Sequence, residues 1–239
     1  MKNKWHIFLF SVVVISSACS KKQIPNSDGL LGLEYYPLTI GKYIIYEVDS
    51  TIYGVLPRDT TTYKYQIKEV LAESFTDAEG KTAYKLKRYI KKFDPKKKYD
   101  SLQWQIKEVW MVNASLKSIE VVESNKRFTK LIFPVEEKAT WNGNAGNTEG
   151  ERLYVYNYID RNESINNAKF ENVLMVKQFE YRTLISYENY IEKYAKGIGL
   201  VYREIKNIVS QDIKPSVAVE NRIESGLVYK QTYIAHGYE

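Results

Sequence analysis

The chain has one cysteine, Cys19, directly after Ser16-Ser17-Ala18, and two histidines, His6 and His236, near its opposite ends. A thiol can act as a nucleophile or be acylated. Two distant imidazoles are too few for a histidine-rich metal site or a histidine-dependent triad. A single cysteine also leaves no internal disulfide, so stability has to come from packing. Neighbouring carboxylates, Glu136-Glu137 and Asp94 with Asp100, raise the question of paired-acid glycoside hydrolysis. That chemistry needs two carboxyl groups held at a set separation across a sugar, which adjacency in sequence does not supply. No GxSxG, HExxH, Walker or calcium-loop spacing occurs. We therefore assign no catalytic residue, no metal and no cofactor, and expect a protein that is not an enzyme.

The aromatic side chains are the other candidates for contact with a ligand. Trp141 opens the Gly- and Asn-rich stretch TWNGNAGNTEGE, and loops carry binding residues more often than scaffold strands do. Tyr154, Tyr156 and Tyr158 follow on one face of LYVYNYID. Together with Trp141 they form a candidate site for an apolar or glycan ligand; the competing reading makes Trp141 an anchor tucked beneath its own loop. Trp104 and Trp110 share the even-numbered face of a strand with Leu102, Ile106 and Val112, which reads as core. Glu108 interrupts that face, marking a strand end, a bulge or a buried carboxylate.

Positioning these residues starts with deciding which of them belong to the folded part. Met1-Lys-Asn-Lys4, an apolar stretch from Trp5 to Ile15 and small residues before Cys19 form the pattern of an export signal, so residues 1–18 are set aside as a signal peptide. The apolar run is too short to span a bilayer, which takes roughly 20 apolar residues. The segment ending in Cys19 resembles the lipobox of bacterial lipoprotein precursors, although it carries Ser16 where leucine is usual. That resemblance implies a diacylglyceryl group on the Cys19 thiol and a lipid anchor in the membrane, since two or more acyl chains are enough for stable attachment. Ser20-Lys21-Lys22 lack the aspartate that retains enteric lipoproteins in the inner membrane, so the resemblance implies the outer membrane of the cell envelope. It leaves open whether the domain faces the periplasm or the surface. Residues 19–33 read as a lipidated tether, reaching roughly 20 Å if they form a coil.

Residues 19–239 number 221, enough for one β domain, placed at 34–239. Loss of Lys2 and Lys4 takes the formal charge from +6 to +4, too mild to imply a nucleic-acid partner. Tyrosine, at 21 residues, favours strands. Segments such as TYKYQIK, LQWQIK and LYVYNYID alternate with period two. Asp77 to Gly80, Asp94-Pro95, Glu123-Ser124-Asn125, Asn142-Gly143 and Asn162 to Asn167 supply turns. The expected fold is mainly β: roughly ten strands in a single antiparallel meander, forming a curved sheet or half-barrel, with at most one helix, at Tyr187 to Lys196. Gly197 and Gly199 mark a tight bend. The basic run Lys85 to Asp100 is read as a solvated edge hairpin, or else as a patch for anionic lipid.

LEYYPLTIGKYIIYEV and EKYAKGIGLVYREI resemble phrases of uncharacterised β-rich envelope lipoproteins, which implies one domain and no particular activity. Two functional classes follow. The first is a binding or carrier module holding a lipid or glycan in a cavity. The second is a structural or assembly subunit that docks an envelope protein through an apolar patch or open sheet edge.

Overall fold

The computed structural model describes residues 31–54 and 60–239, so Cys19 and the signal segment lie outside the described residues. Twelve strands make one antiparallel sheet: β1 Lys42–Tyr53, β2 Thr60–Thr76, β3 Thr82–Lys92, β4 Gln105–Ala114, β5 Ser118–Glu123, β6 Lys126–Ile132, β7 Thr140–Asn142, β8 Leu153–Ile165, β9 Ala168–Arg182, β10 Ser186–Ala195, β11 Gly199–Val209 and β12 Ser225–Tyr238. Their order across the sheet is β6-β5-β4-β3-β2-β1-β12-β11-β10-β9-β8-β7. Consecutive strands are therefore neighbours, apart from β6 and β7. The join between β12 and β1 brings the two ends of the domain together, with Lys42 opposite Tyr238 and Tyr53 opposite Gly226.

The mainly β meander is as the alternation implies, but the sheet curls further than a half-barrel and is nearly closed. The expected strand count falls short because the short hairpin β5–β6 and the three-residue β7 carry little periodicity of their own. Local turn chemistry shapes these hairpins. Ser124 and Asn125 between β5 and β6, and Asn166 and Asn167 between β8 and β9, all have positive φ, the two-residue turn that matches strand twist. Tyr187 to Ala195 is strand, not helix, because its register against β9 and β11 is continuous but for single bulges. Gly197 and Gly199 form the bend after it, both with positive φ.

Where β6 and β7 meet, side chains do most of the work of a hydrogen-bond ladder. The Thr129 N–H donates to the Gly143 carbonyl at 2.9 Å, and the Trp141 indole N–H to the Thr129 carbonyl at 2.8 Å. The Tyr156 hydroxyl accepts from the Ile132 N–H at 2.8 Å and donates to its carbonyl at 2.6 Å. These bonds satisfy backbone groups that would otherwise be left unpaired along the seam.

The end of the barrel where β1 begins and β12 finishes is plugged by the residues before β1. The Leu31 carbonyl accepts from Val135 and the Glu34 carbonyl from Gly197, and a single 3-10 turn at Leu33–Tyr35 sends the Tyr35 ring inside. Its hydroxyl donates to Asp160 at 2.7 Å. Leu31 to Leu33, assigned above to the tether, are thus docked on the domain. The opposite, far end carries the connections after β3, β5, β7, β9 and β11.

Strand β3 pairs with β2 on one side and β4 on the other, which corrects the edge-hairpin reading of the basic run. Its lysines face outward on a central strand, and the residues 93–104 that follow form a far-end connection.

Candidate functional site

Three of the four nominated aromatics, Trp141, Tyr154 and Tyr156, come together as packing, while the Tyr158 hydroxyl bonds to Glu163 farther along β8. Trp141, Tyr154, Tyr156 and Tyr158 are all buried. The Trp141 ring lies 4.6 Å from that of Tyr156 and 5.8 Å from that of Tyr154. Gly143 lies so close over Tyr154 that an added Cβ would sit 2.3 Å from the ring. These side chains fill the space between them and close the β6–β7 seam, so the loop aromatic is an anchor beneath its loop. Trp110 and Val112 are core as expected, whereas Ile106 is 60 % exposed and Trp104 precedes β4, stacked under Lys91. The reason is a bulge: Arg88 pairs with Glu108 and Tyr89 with Ile106, so Lys107 is the extra residue and the alternation shifts there. Glu136 and Glu137 are exposed on a loop. His236 bonds to the Tyr233 hydroxyl at 2.7 Å.

Charges fill the interior instead. Lys130 on β6 lies 2.7 Å from Glu123 and 3.0 Å from Glu192, which face each other from β5 and β10. Arg203 on β11 bridges the same two carboxylates at 3.1 and 2.7 Å. A second group adjoins the first. Arg88 on β3 binds Glu69 at 2.9 Å and Glu108 at 2.5 Å. Its guanidinium lies 3.7 Å from the centre of the Trp110 ring, with Arg203 5.6 Å from that ring. The Tyr194 hydroxyl donates to Glu192 at 2.5 Å. Strands from opposite walls of the barrel are thereby tied by ion pairs across its centre.

Burial would push the Glu192 carboxyl up, but Lys130 and Arg203 outweigh it and hold the group down at about 2. Glu123 is likewise lowered: burial opposes ionisation, and Arg203 and Lys130 overcome both that and the repulsion from Glu192. Lys130 and Arg203 are raised for the converse reason, the carboxylates prevailing over burial. Acids held ionised and cations held protonated make a locked network, not a proton-transfer pair. Of this set only Glu108 is singled out above, because it breaks an apolar face. Glu192 and Arg203 carry the same signal, each two residues from a buried apolar neighbour on its strand, Tyr194 and Val201 respectively. Lys130 is hidden from such reasoning by a bulge that pairs Leu131 and Thr129 with adjacent residues of β5.

Several stretches of the wall are paired on one side only among the described residues: β2 from Thr60 to Tyr63, β8 from Ile159 to Ile165, and part of β4. Strand β4 meets β5 only from Met111 to Ala114, so Gln105 to Val109 are paired with β3 alone. Val109 is 52 % exposed, and a groove of about 410 Å³ runs alongside it, bordered by Lys85, Glu108, Met111, Val122 and Asn125, with Lys85 paired to Glu73 and Lys107 to Glu108. Lys87 stands opposite Val109 on β3. Seven lysines and Arg88 face one acid, Asp94, between residues 85 and 99. Among the described residues, no cluster of three or more histidine, cysteine or acidic side chains could hold a metal ion, and no helix is long and apolar enough to cross a membrane.

Comparison with protein families, with curated proteins and with solved structures gives no match.

Proposed function

We propose that this chain is an envelope lipoprotein, anchored in the membrane through Cys19, that works as an assembly subunit by taking an acidic, extended segment of a partner protein onto the free edge of β4. The observation that carries the reading is the unpaired edge from Gln105 to Val109, flanked by exposed Ile106 and Val109 and bordered by lysines. An added strand gains main-chain hydrogen bonds from such an edge, and alternate side chains gain pockets. The lysine border selects negative charge and disfavours a second copy of the same edge.

The interior favours this reading over the carrier. The two partly open cavities that reach the core measure about 50 and 20 Å³, against roughly 300–1,000 Å³ for pockets that enclose a drug-sized ligand. Outward ion pairs such as Lys64–Asp49 and Lys85–Glu73 support a wall that faces water instead of acyl chains.

The test uses a labelled ten-residue peptide of alternating glutamate and valine, with a lysine–valine peptide as control, read by fluorescence anisotropy on the processed protein. The acidic peptide should bind, and Lys87→Glu with Lys107→Glu should weaken it at least tenfold while the fold is retained. Equal binding of both peptides, or an unchanged affinity in the charge-reversed variant, would remove the proposal. Mass spectrometry of the processed amino terminus tests the anchor: an unmodified Cys19 thiol would overturn it.

A further inference from the structure

At the plugged end of the barrel, Lys42 at the start of β1 is 5 % exposed, and its ammonium donates to the Gly197 carbonyl. Among the described residues no carboxylate pairs with it. An ammonium carries three donors, so two remain beyond the bond to Gly197. Lys42 lies in the wall of the half-open cavity of about 50 Å³, whose other walls are mainly apolar: Ile44, Leu71, Leu86, Ile198 and Leu200. The residue before Pro37, Tyr36, covers the cavity from the segment that plugs this end. Glu69 also reaches the wall, but its carboxylate is bound to Arg88 at 2.9 Å, so that pair adds no net charge. His236 is held down by burial and by the charge of Lys42, so it stays neutral near pH 7. The Tyr46 hydroxyl donates to the Leu200 carbonyl at 3.0 Å, so it brings no charge.

A long cationic side chain usually reaches for water, and a buried cation without a counter-ion is costly unless something supplies the charge. The space limits what that can be. A water needs about 10–15 Å³ of this kind of volume, so the cavity holds roughly three to five water-sized bodies. We propose that the cavity is a binding site for a short-chain monocarboxylate of about two to four carbons, its carboxylate on the Lys42 ammonium and its carbon chain against Ile44, Leu71 and Leu200. An anion without a carbon chain would leave the apolar wall uncovered, and a neutral alcohol would leave the ammonium unpaired. The site is distinct from the β4 edge, although Leu86 in its wall adjoins Lys87, which pairs with Val109.

Saturation-transfer NMR on the processed protein with acetate, propionate, butyrate and hexanoate, at constant ionic strength in chloride, tests this. Butanol serves as the uncharged control. Transfer to propionate and butyrate is expected, with hexanoate and butanol at least tenfold weaker. Lys42→Met should abolish transfer. Leu71→Phe, which keeps the ammonium and fills the space, should abolish it as well, so the outcome does not hang on one variant folding. Absence of transfer to any acid in the wild type would overturn the proposal. So would equal transfer to butanol, or butyrate binding unchanged in either folded variant.

Discussion

Replacing Lys130 by methionine removes one of the two cations that Glu123 and Glu192 share, and keeps nearly the same volume. In the wild type two cations face two carboxylates, and Lys130 sits 2.7 and 3.0 Å from them. The Glu192 carboxyl lies at about 2 against 4.5 in an open chain, which corresponds to about 3 kcal/mol of stabilisation from the network at neutral pH. Removing one partner from a buried pair costs about 3–5 kcal/mol, because the remaining charge stays buried without compensation. The loss expected for Lys130→Met at pH 7 is therefore about 3–5 kcal/mol. The sign of its pH dependence follows from which protonation state the fold favours. A depressed carboxyl contributes stability that is present above about pH 4.5 and disappears as the pH falls towards about 2. In the variant Arg203 alone serves both carboxylates, so one negative charge goes uncompensated, and that penalty eases as the pair takes up a proton. The gap between wild type and variant should thus narrow between pH 7 and pH 4. Urea unfolding followed by tryptophan fluorescence at both pH values measures it. A gap below about 1 kcal/mol at pH 7 would refute the reasoning, as would an equal gap at both pH values.

Other substitutions probe separate parts of the barrel. Gly226 in β12 has φ +126°, and a Cβ there would lie 2.1 Å from the Asn207 carbonyl oxygen and 2.8 Å from the Ile208 Cα. Gly226→Ala should cost about 3 kcal/mol or more, visible as a lowered urea midpoint, since the obstacle is backbone. Tyr156→Phe removes the hydroxyl that serves both the Ile132 N–H and its carbonyl. A loss of about 1–3 kcal/mol is expected, with faster amide exchange at Ile132; an unchanged midpoint would mean the seam does not depend on that side chain.

The strands were readable because one face of most of them is buried, and alternation then follows from the pleat. In β8, Tyr154, Tyr156 and Tyr158 all point inward as their spacing implies. Alternation fails wherever a bulge inserts a residue. At Lys107 it moves Ile106 out of the core face on which spacing had placed it, and at Lys130 it hides an inward cation. The joining of the two meanders was not readable, since the β12–β1 pairing links segments about 190 residues apart and no local pattern specifies it. The interior network escaped for a related reason. Glu192 and Arg203 are cross-strand neighbours in the β10–β11 hairpin, but Glu123 on β5 joins them only when the sheet curls round. Spacing placed the β8 tyrosines on one face, but spacing alone does not distinguish rings that line a cavity from rings that fill one.

Capture of a partner strand requires that β4 offer a free edge from Gln105 to Val109. Amide hydrogen exchange resolved by NMR tests this residue by residue. From Met111 to Ala114, where β4 has a partner on both sides, all amides should exchange slowly; from Gln105 to Val109, alternate amides should exchange fast and become protected when the acidic peptide binds. Uniformly slow exchange across Gln105 to Val109 in the free protein would show that the edge is already covered and would contradict the account.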